Sequence, residues 1–310
     1  MSKRVIILGI KGRFGRAAAG AFLSAGWQVR GFARNWGGIT TSRDVEQVEG
    51  NAFDKKVLLA AVDGCDVIVN ALNTPYEKWK DDLPRLTQNV IQAAKASGTT
   101  VMIPGNIYNF GEKMPAVLTE ATPHLPTTRK GTLREEMEEA YAVAGKQGVQ
   151  TIILRAGDFI ERKKTGNWFD SYIANKARQG KVTYPGPLDR VHAWAYLPDM
   201  ARAMVQLAEK RRSFAMFEEF GFEGFNLTGT ELIRAIETFY GRPLKVQKMP
   251  WVVMGLLGRF IPNIREVMEM RYLWSVPHSI DGSKLAHTLP DFEATPLDRA
   301  LEDVLFSSTP

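Results

Sequence analysis

The chain has 310 residues, of which 45% are apolar and 24% charged, an ordinary globular composition and long enough for one large domain plus a smaller one. A single cysteine, Cys65, excludes an internal disulfide framework and places the expected compartment in the reducing cytoplasm. The formal charge of +6 comes from scattered basic residues. With no basic block, secretory pattern or membrane-length apolar run in view, neither nucleic acid nor membrane is an expected partner.

In chain order, the run Val5-Ile6-Ile7-Leu8 is short, bulky and partly β-branched, and reads as a buried strand of a parallel sheet. Gly9, Gly12 and Gly15 follow it, and the alanine-rich stretch 16–23 reads as a helix. A glycine turn between a first strand and a first helix suits a dinucleotide pyrophosphate, because the backbone comes close and the helix N-terminal N–H groups face the anion. The spacing differs from the simplest G-x-G-x-x-G form, and three glycines after an apolar run also make an ordinary tight connection. Gly26 caps the helix, and residues 27–33 read as a second strand that ends at Arg34, with no acidic residue before Asp44. An acidic residue at that strand end suits a 2′-hydroxyl, whereas arginine suits a 2′-phosphate. Arg34, with Lys11 and Arg13 beside the turn, therefore points to NADP(H) over NAD(H); a solvated loop arginine is the plain alternative.

Further strands are expected at 45–49, 66–72, 99–103 and 150–155, and helices at 54–62, 83–97 and 132–144. Cys65, at the entry to the 66–72 strand, reads as a packed thiol. The alternation implies a doubly wound, mainly parallel α/β sheet. After residue 156, loops rich in glycine, proline and aromatic residues alternate with short helices. We therefore expect a cofactor-binding Rossmann domain over 1–156. A smaller, less regular substrate segment is expected over 157–310, closing over the sheet's C-terminal edge, with a part near 190–210 returning to the core. The apolar stretch 250–261 reads as a packed helix flanked by prolines. His124, His192, His278 and His287 lack metal-ligand spacing, so no metal is expected. His192 and Trp194 are candidates to reach a substrate cleft, and Trp168, Phe169 and Tyr172 read as core aromatics.

Six segments in order resemble the short-chain dehydrogenase/reductase superfamily, in particular its extended and atypical branches with nucleotide-sugar epimerases and isoflavone-type reductases. Gly9-Ile10-Lys11-Gly12-Arg13-Phe14-Gly15 is similar to the glycine turn, and Asn51-Ala52-Phe53-Asp54 to the segment whose aspartate lies near the adenine. Asn70-Ala71-Leu72-Asn73 resembles the passage beside the nicotinamide ribose, and Ile153-Leu154-Arg155-Ala156-Gly157-Asp158-Phe159 a conserved-type strand and loop of the branch. Tyr196-Leu197-Pro198-Asp199-Met200-Ala201 and Asp281-Gly282-Ser283-Lys284-Leu285 complete the series. The resemblance implies a Rossmann fold, an NAD(P) cofactor and a small-molecule substrate. By analogy with relatives that pair through helices flanking the sheet, it also implies a homodimer. It places Gly9, Lys11, Gly12, Arg13, Phe14, Gly15, Arg34, Asp54, Ala71, Leu72, Asn73 and Lys130 at the cofactor.

The catalytic pattern departs from the family. Members that act on a carbinol carry serine plus Tyr-x-x-x-Lys, but Pro104 stands in the serine register and the tyrosine-lysine register falls on Lys130 and Arg134. Lys130 and Arg134 lie one helical turn apart, and a partly desolvated lysine beside another cation has a lowered pKa suited to proton transfer. The alternative is that both are solvated or touch only cofactor phosphate and ribose. Tyr108 is the second candidate acid, with plain packing as its alternative. The expected function is an NADP(H)-dependent oxidoreductase acting on a small carbonyl, imine or conjugated substrate. The rivals are a nucleotide-sugar epimerase or dehydratase, and a regulator that senses NADP(H) without turnover.

Overall fold

The computed structural model describes residues 3–37, 42–163 and 165–306. In chain order, the strands of the first half are β1 (Arg4–Leu8), β2 (Gln28–Ala33), β3 (Val45–Glu49), β4 (Val67–Asn70), β5 (Thr100–Gly105), β6 (Val117–Leu118) and β7 (Thr151–Arg155). They alternate with helices α1 (Arg13–Ser24), α2 (Lys55–Val62), α3 (Trp79–Ser97) and α4 (Arg129–Gly145). Then follow β8 (Asp158–Ile160), β9 (Lys181–Tyr184), β10 (Val191–Tyr196), α5 (Leu197–Lys210), β11 (Phe217–Gly221) and β12 (Phe225–Thr228). The chain closes with α6 (Gly229–Tyr240), β13 (Lys245–Lys248), α7 (Trp251–Leu257), α8 (Pro262–Glu269), β14 (Ser279–Ile280), α9 (Ser283–Thr288) and α10 (Leu297–Phe306).

Contacts divide the chain into two units. The first comprises Met1–Gly105, Arg129–Arg155 and Ala201–Phe220; the second comprises Asn106–Thr128, Ala156–Met200 and Gly221–Pro310. The first unit holds a seven-stranded sheet in the order β11-β7-β5-β4-β1-β2-β3. The β1–β2, β2–β3, β1–β4, β4–β5 and β5–β7 pairs are all parallel. Val5, Ile6, Ile7 and Leu8 of β1 and Val67, Ile68 and Val69 of β4 are wholly buried. Such unbroken apolar strands form when helices cover both faces of a parallel sheet. The strand order reverses between β1 and β4, the place where open α/β sheets receive ligands at their carboxyl ends.

The helices run longer than their apolar periodicity marks out. α1 begins at Arg13 rather than 16, so Gly15 sits in its first turn, and Gly26 (φ +77°) receives the chain after it, its N–H donating to Leu23 O. α3 extends back to Trp79 and ends at Gly98 in the left-handed conformation. α4 extends back to Arg129, which places Lys130 inside a helix, and β5 runs on through Pro104 to Gly105. Burial pushes the Cys65 thiol up to about 11, as befits a packed cysteine.

In the second unit, β12-β10-β8 form a three-stranded sheet and β13–β9 and β14–β6 two short parallel pairs. The stretch after residue 156 thus carries strands as well as the short helices expected there. Its strands are two to six residues long, too short to distinguish strand from loop by periodicity. An aromatic core of Phe169, Tyr184, Trp194 and Trp274 with Leu232, Ile236 and Leu301 holds this unit together. The 250–261 stretch is a correction. It does form a helix, but Val252, Leu256 and Phe260 are exposed rather than packed.

Candidate cofactor site

The glycine turn follows β1 at the sheet's reversal point. Gly9 has φ +78°, and a Cβ there would lie 2.4 Å from the Ala71 carbonyl oxygen. A Cβ on Gly15 would lie 2.3 Å from Gly9 O. The first glycine thus lets the turn press on the passage after β4, and the third lets α1 press on the turn. The Gly12 N–H donates to Gly9 O at 2.8 Å, and Ala71 N–H to Leu8 O at 3.0 Å. Gly12 is the N-cap of α1; it offers no side-chain cap, and the first turn holds no acidic residue. The positive end of the helix dipole is therefore left without a carboxylate, the arrangement that receives an anion.

Cations gather beside this turn. Lys11 Nζ donates to Asn35 Oδ1 at 2.9 Å and to Gly37 O at 3.0 Å, tying the turn to the loop after β2. Arg34, exposed at the end of β2, begins that same loop. Arg13 is half-buried at the start of α1, and Phe14 is buried behind it. Asp54 caps α2, its carboxylate accepting from Lys56 N at 3.0 Å and Val57 N at 3.2 Å.

The passage after β4 is held by side chains on both sides. Asn70 Nδ2 donates to Tyr141 OH at 3.0 Å, and the Leu72 N–H donates to Asn70 Oδ1 at 3.4 Å. Burial pushes the Tyr141 phenol well up, so it stays neutral as a structural partner. Trp79 Nε1 donates to both Asn73 Oδ1 and Thr74 O at 3.0 Å, which fixes the loop that carries Tyr76.

Lys130 is fully buried, with Nζ 5.0 Å from the centre of the Tyr76 ring. Tyr76 in turn packs edge-on against Trp79 at 4.9 Å. A cation over an aromatic face is stabilised by the ring quadrupole, more so away from water. Arg134, one turn on, donates through Nη2 to Pro104 O at 3.1 Å and lies 3.9 Å from Glu138. Glu138 binds Arg155 at 2.7 Å, and Arg155 also binds Glu219 at 2.5 Å. Burial alone would pull the Arg155 guanidinium down, and the two carboxylates more than reverse it. Neither Lys130 nor Arg134 is a solvated side chain, which removes that half of the alternative and leaves contact with cofactor phosphate and ribose alone as its other half. Arg134 is thus engaged by the β5 backbone at Pro104 and lies beside Glu138.

The expected residues divide between the units. Gly9, Lys11, Gly12, Arg13, Phe14, Gly15, Arg34, Asp54, Ala71, Leu72, Asn73 and Lys130 belong to the first, Tyr108 to the second. Tyr108 opens a short helical turn, with its N–H donating to Asn106 Oδ1 at 3.0 Å, and its side chain packs on the Ile107, Phe110 and Met114 cluster. His192 is a core residue, 2.8 Å from Asp158 and stacked on Trp274 at 4.2 Å. Trp168 likewise packs on Tyr172 and Trp274. Tyr76 is the residue that sequence reasoning missed. The family pattern seeks its tyrosine four residues before the lysine on one helix, whereas this ring reaches Lys130 from the loop after β4.

Residues 9–183 match the model of a family described as NAD(P)H-binding, which is more than half of the chain. The chain belongs to the NAD(P)H-binding family. A search of curated proteins by sequence finds no match. Among solved structures, the fold of this NAD(P)H-binding protein is similar to UDP-N-acetylglucosamine 4-epimerase from Bacillus cereus (TM-score 0.77, 16% identity, 100% of both chains). It is similar to dTDP-glucose 4,6-dehydratase from Bacillus anthracis str. Ames in complex with NAD (TM-score 0.77, 14% identity, 99% of this chain and 96% of that one). A third likeness is to MoeE5 in complex with UDP-glucuronic acid and NAD (TM-score 0.77, 14% identity, 98% of each chain). These likenesses establish a seven-stranded Rossmann sheet with smaller added sheets as the fold. The glycine cradle suits the NAD(P)H of the family. A Cβ would fill its two closest approaches, and the helix end above it carries no acidic residue.

Proposed function

We propose that this chain is an NADP(H)-dependent enzyme of epimerase/dehydratase-like architecture. In this reading Gly9, Gly12 and Gly15 receive the pyrophosphate with Arg13 and Phe14 beside them, and Lys11 and Arg34 take the 2′-phosphate. Asp54 lies near the adenine, and Ala71, Leu72, Asn73 and Lys130 lie along the nicotinamide ribose. The observation that carries it is the turn itself, a cradle closed to any Cβ at Gly9 and Gly15 and flanked by cations at the end of β2. Residues 1–156 would supply most of the cofactor site and 157–310 the substrate specificity.

When bound, the cofactor supplies a hydride donor or acceptor. The protein's part is to hold the ring and to move a proton. Lys130 is the buried group fitted for the proton. It is wholly buried in α4, with Nζ 5.0 Å from the centre of the Tyr76 ring, within reach of the loop that follows β4. Arg134 and Pro104 set the height of the α4 terminus against β5. Tyr108 is the alternative proton donor.

Nucleotide sugars are the first substrate class to test, because solved structures alike in fold over the whole chain are named for acting on them or contain them. The replacement of the family serine by Pro104, and of the tyrosine four residues before Lys130 by Pro126, favours instead a small carbonyl, imine or conjugated substrate for which one proton carrier suffices. Incubation with NADPH and a panel of both classes, read by nicotinamide fluorescence, separates them. Turnover lost in Lys130→Ala supports the enzyme. Tight NADPH binding with no turnover on either class overturns it in favour of a sensor. Comparing NADPH and NADH dissociation constants tests the cofactor. Arg34→Ala should weaken NADPH alone, by about 1.5–3 kcal/mol, and equal parent affinities would sink the 2′-phosphate reading.

A further inference from the structure

Among the described residues of the second unit, exposed large apolar side chains are closest together in sequence on α7 and the turn after it. Positions 252, 253, 256 and 257 recur at one- and four-residue steps, so they share one face of α7, and Phe260 follows in the turn after it. That face is bare: Val252 is 80% exposed, Leu256 56% and Phe260 85%. The opposite face is pinned. Trp251 Nε1 donates to Pro185 O at 2.7 Å, and the Arg271 guanidinium lies 5.4 Å over the Trp251 ring. Gly258 is buried close to Arg265 of α8, which leaves the helix pair one outward side.

The charge along this stretch of the chain is of one sign. Residues 238–265 contain five cations, Arg242, Lys245, Lys248, Arg259 and Arg265, and no aspartate or glutamate. All five cations are exposed. The next carboxylate along the chain, Glu266, is buried, and the preceding one, Glu237, accepts from Leu244 N at 2.8 Å. A water-exposed apolar stripe costs free energy in isolation, and a run of exposed cations in the same stretch of chain repels a second copy of itself. An apolar stripe accompanied by exposed cations matches an anionic lipid surface, where the stripe enters the headgroup boundary and the cations meet phosphate.

We propose that α7 and the turn after it form a docking face for the surface of an anionic phospholipid bilayer, with Val252, Leu256 and Phe260 as the inserted side chains. No described helix is long and apolar enough to cross a membrane. A seven-residue helix lying in the surface plane needs no such length. The sequence expectation of no membrane partner rested on the missing span and on reading 250–261 as a packed helix, and the exposure of Val252, Leu256 and Phe260 removes the second of these grounds. The proposal is independent of the cofactor and substrate readings.

The test is co-sedimentation of the full chain with vesicles of phosphatidylcholine mixed with phosphatidylglycerol, and with vesicles of phosphatidylcholine alone. The parent should partition onto the mixed vesicles and be released by high salt. Val252→Ser with Phe260→Ser, and separately Lys248→Glu with Arg259→Glu, should each weaken partition on the order of tenfold while the melting temperature stays unchanged. Should the serine pair fail to fold, the charge-reversal pair alone decides. No partition of the parent onto mixed vesicles overturns the proposal, as does partition that both pairs leave intact. A dimer that the serine pair dissociates, with no vesicle binding, overturns it in favour of a second copy as the occupant.

Discussion

The glycine turn and the neighbourhood of Lys130 flank the same end of the sheet but are built by opposite means. The turn is backbone on backbone: Gly9 against Ala71 O, Gly15 against Gly9 O, Gly12 N–H on Gly9 O. The Lys130 neighbourhood is side chain on side chain, with an ammonium over Tyr76 and a relay of half-buried Arg134, buried Glu138 and Arg155, and half-buried Glu219. A backbone-built site tolerates one residue type at each position, whereas a charge-built site depends on partners far apart in sequence. The two therefore break differently.

The largest effect is expected at Glu138. Glu138→Ala takes a carboxylate away from the buried Arg155, and removing one partner of a buried ion pair costs about 3 kcal/mol or more. Urea unfolding should show that loss, and a midpoint within error of the parent would mean that the relay is not what holds α4 to β7. Gly9→Ala comes next. The left-handed φ costs alanine about 1–2 kcal/mol, and its Cβ would meet Ala71 O at 2.4 Å besides. We expect a lower melting temperature together with loss of NADPH binding. Retained tight binding would show that the turn is not the cofactor cradle.

How far each region was legible in the sequence follows from the same contrast. Gly9, Gly12 and Gly15 announce themselves, because a residue type is itself the constraint, and β1, β4 and β7 do so through unbroken apolar runs. Lys130 was legible as a position but not as an environment. Its burial depends on Tyr76, which lies more than fifty residues upstream in a loop with no periodicity. The burial of Arg134 likewise depends on a carbonyl of β5 that no side-chain pattern reports. The error at 250–261 has a related cause. Composition shows an apolar helix, and only the fold shows that Trp251 and Gly258 face inward while Val252 and Phe260 do not.

The second unit supplies a third mode, a buried imidazole. His278 is fully buried, donates from Nδ1 to Val276 O at 2.9 Å, and its Nε2 has no partner among the described residues. Burial, and then His192 at 4.5 Å between ring centres, push its pKa down to about 3. The unfolded chain takes up a proton at this site near the ordinary value of 6.5, and the folded chain does so only near 3. Stability from this group is therefore complete above about pH 6.5 and is lost as the pH falls, by about 1.4 kcal/mol per unit. Denaturant midpoints measured between pH 7 and 4 should fall accordingly, and His278→Gln should flatten that slope. An unchanged slope in the variant would assign the acid sensitivity to other groups.

The smallest effect carries the sharpest contrast with the turn, because it comes from a fourth glycine nearby. Gly20 lies within α1, five residues after Gly15, yet a Cβ built there meets nothing within 4 Å. It is exposed and requires no left-handed conformation. A helix-interior glycine of this kind costs backbone entropy with no compensating contact, so Gly20→Ala should stabilise the chain by about 0.5–1 kcal/mol. NADPH affinity should stay as in the parent, since Gly20 lies more than one helical turn beyond the cradle. Thermal melts of Gly15→Ala and Gly20→Ala, run side by side, should therefore shift in opposite directions. Shifts of the same sign would mean that α1 responds to glycine content along its length, and the close approach of Gly15 to Gly9 O would lose its special place.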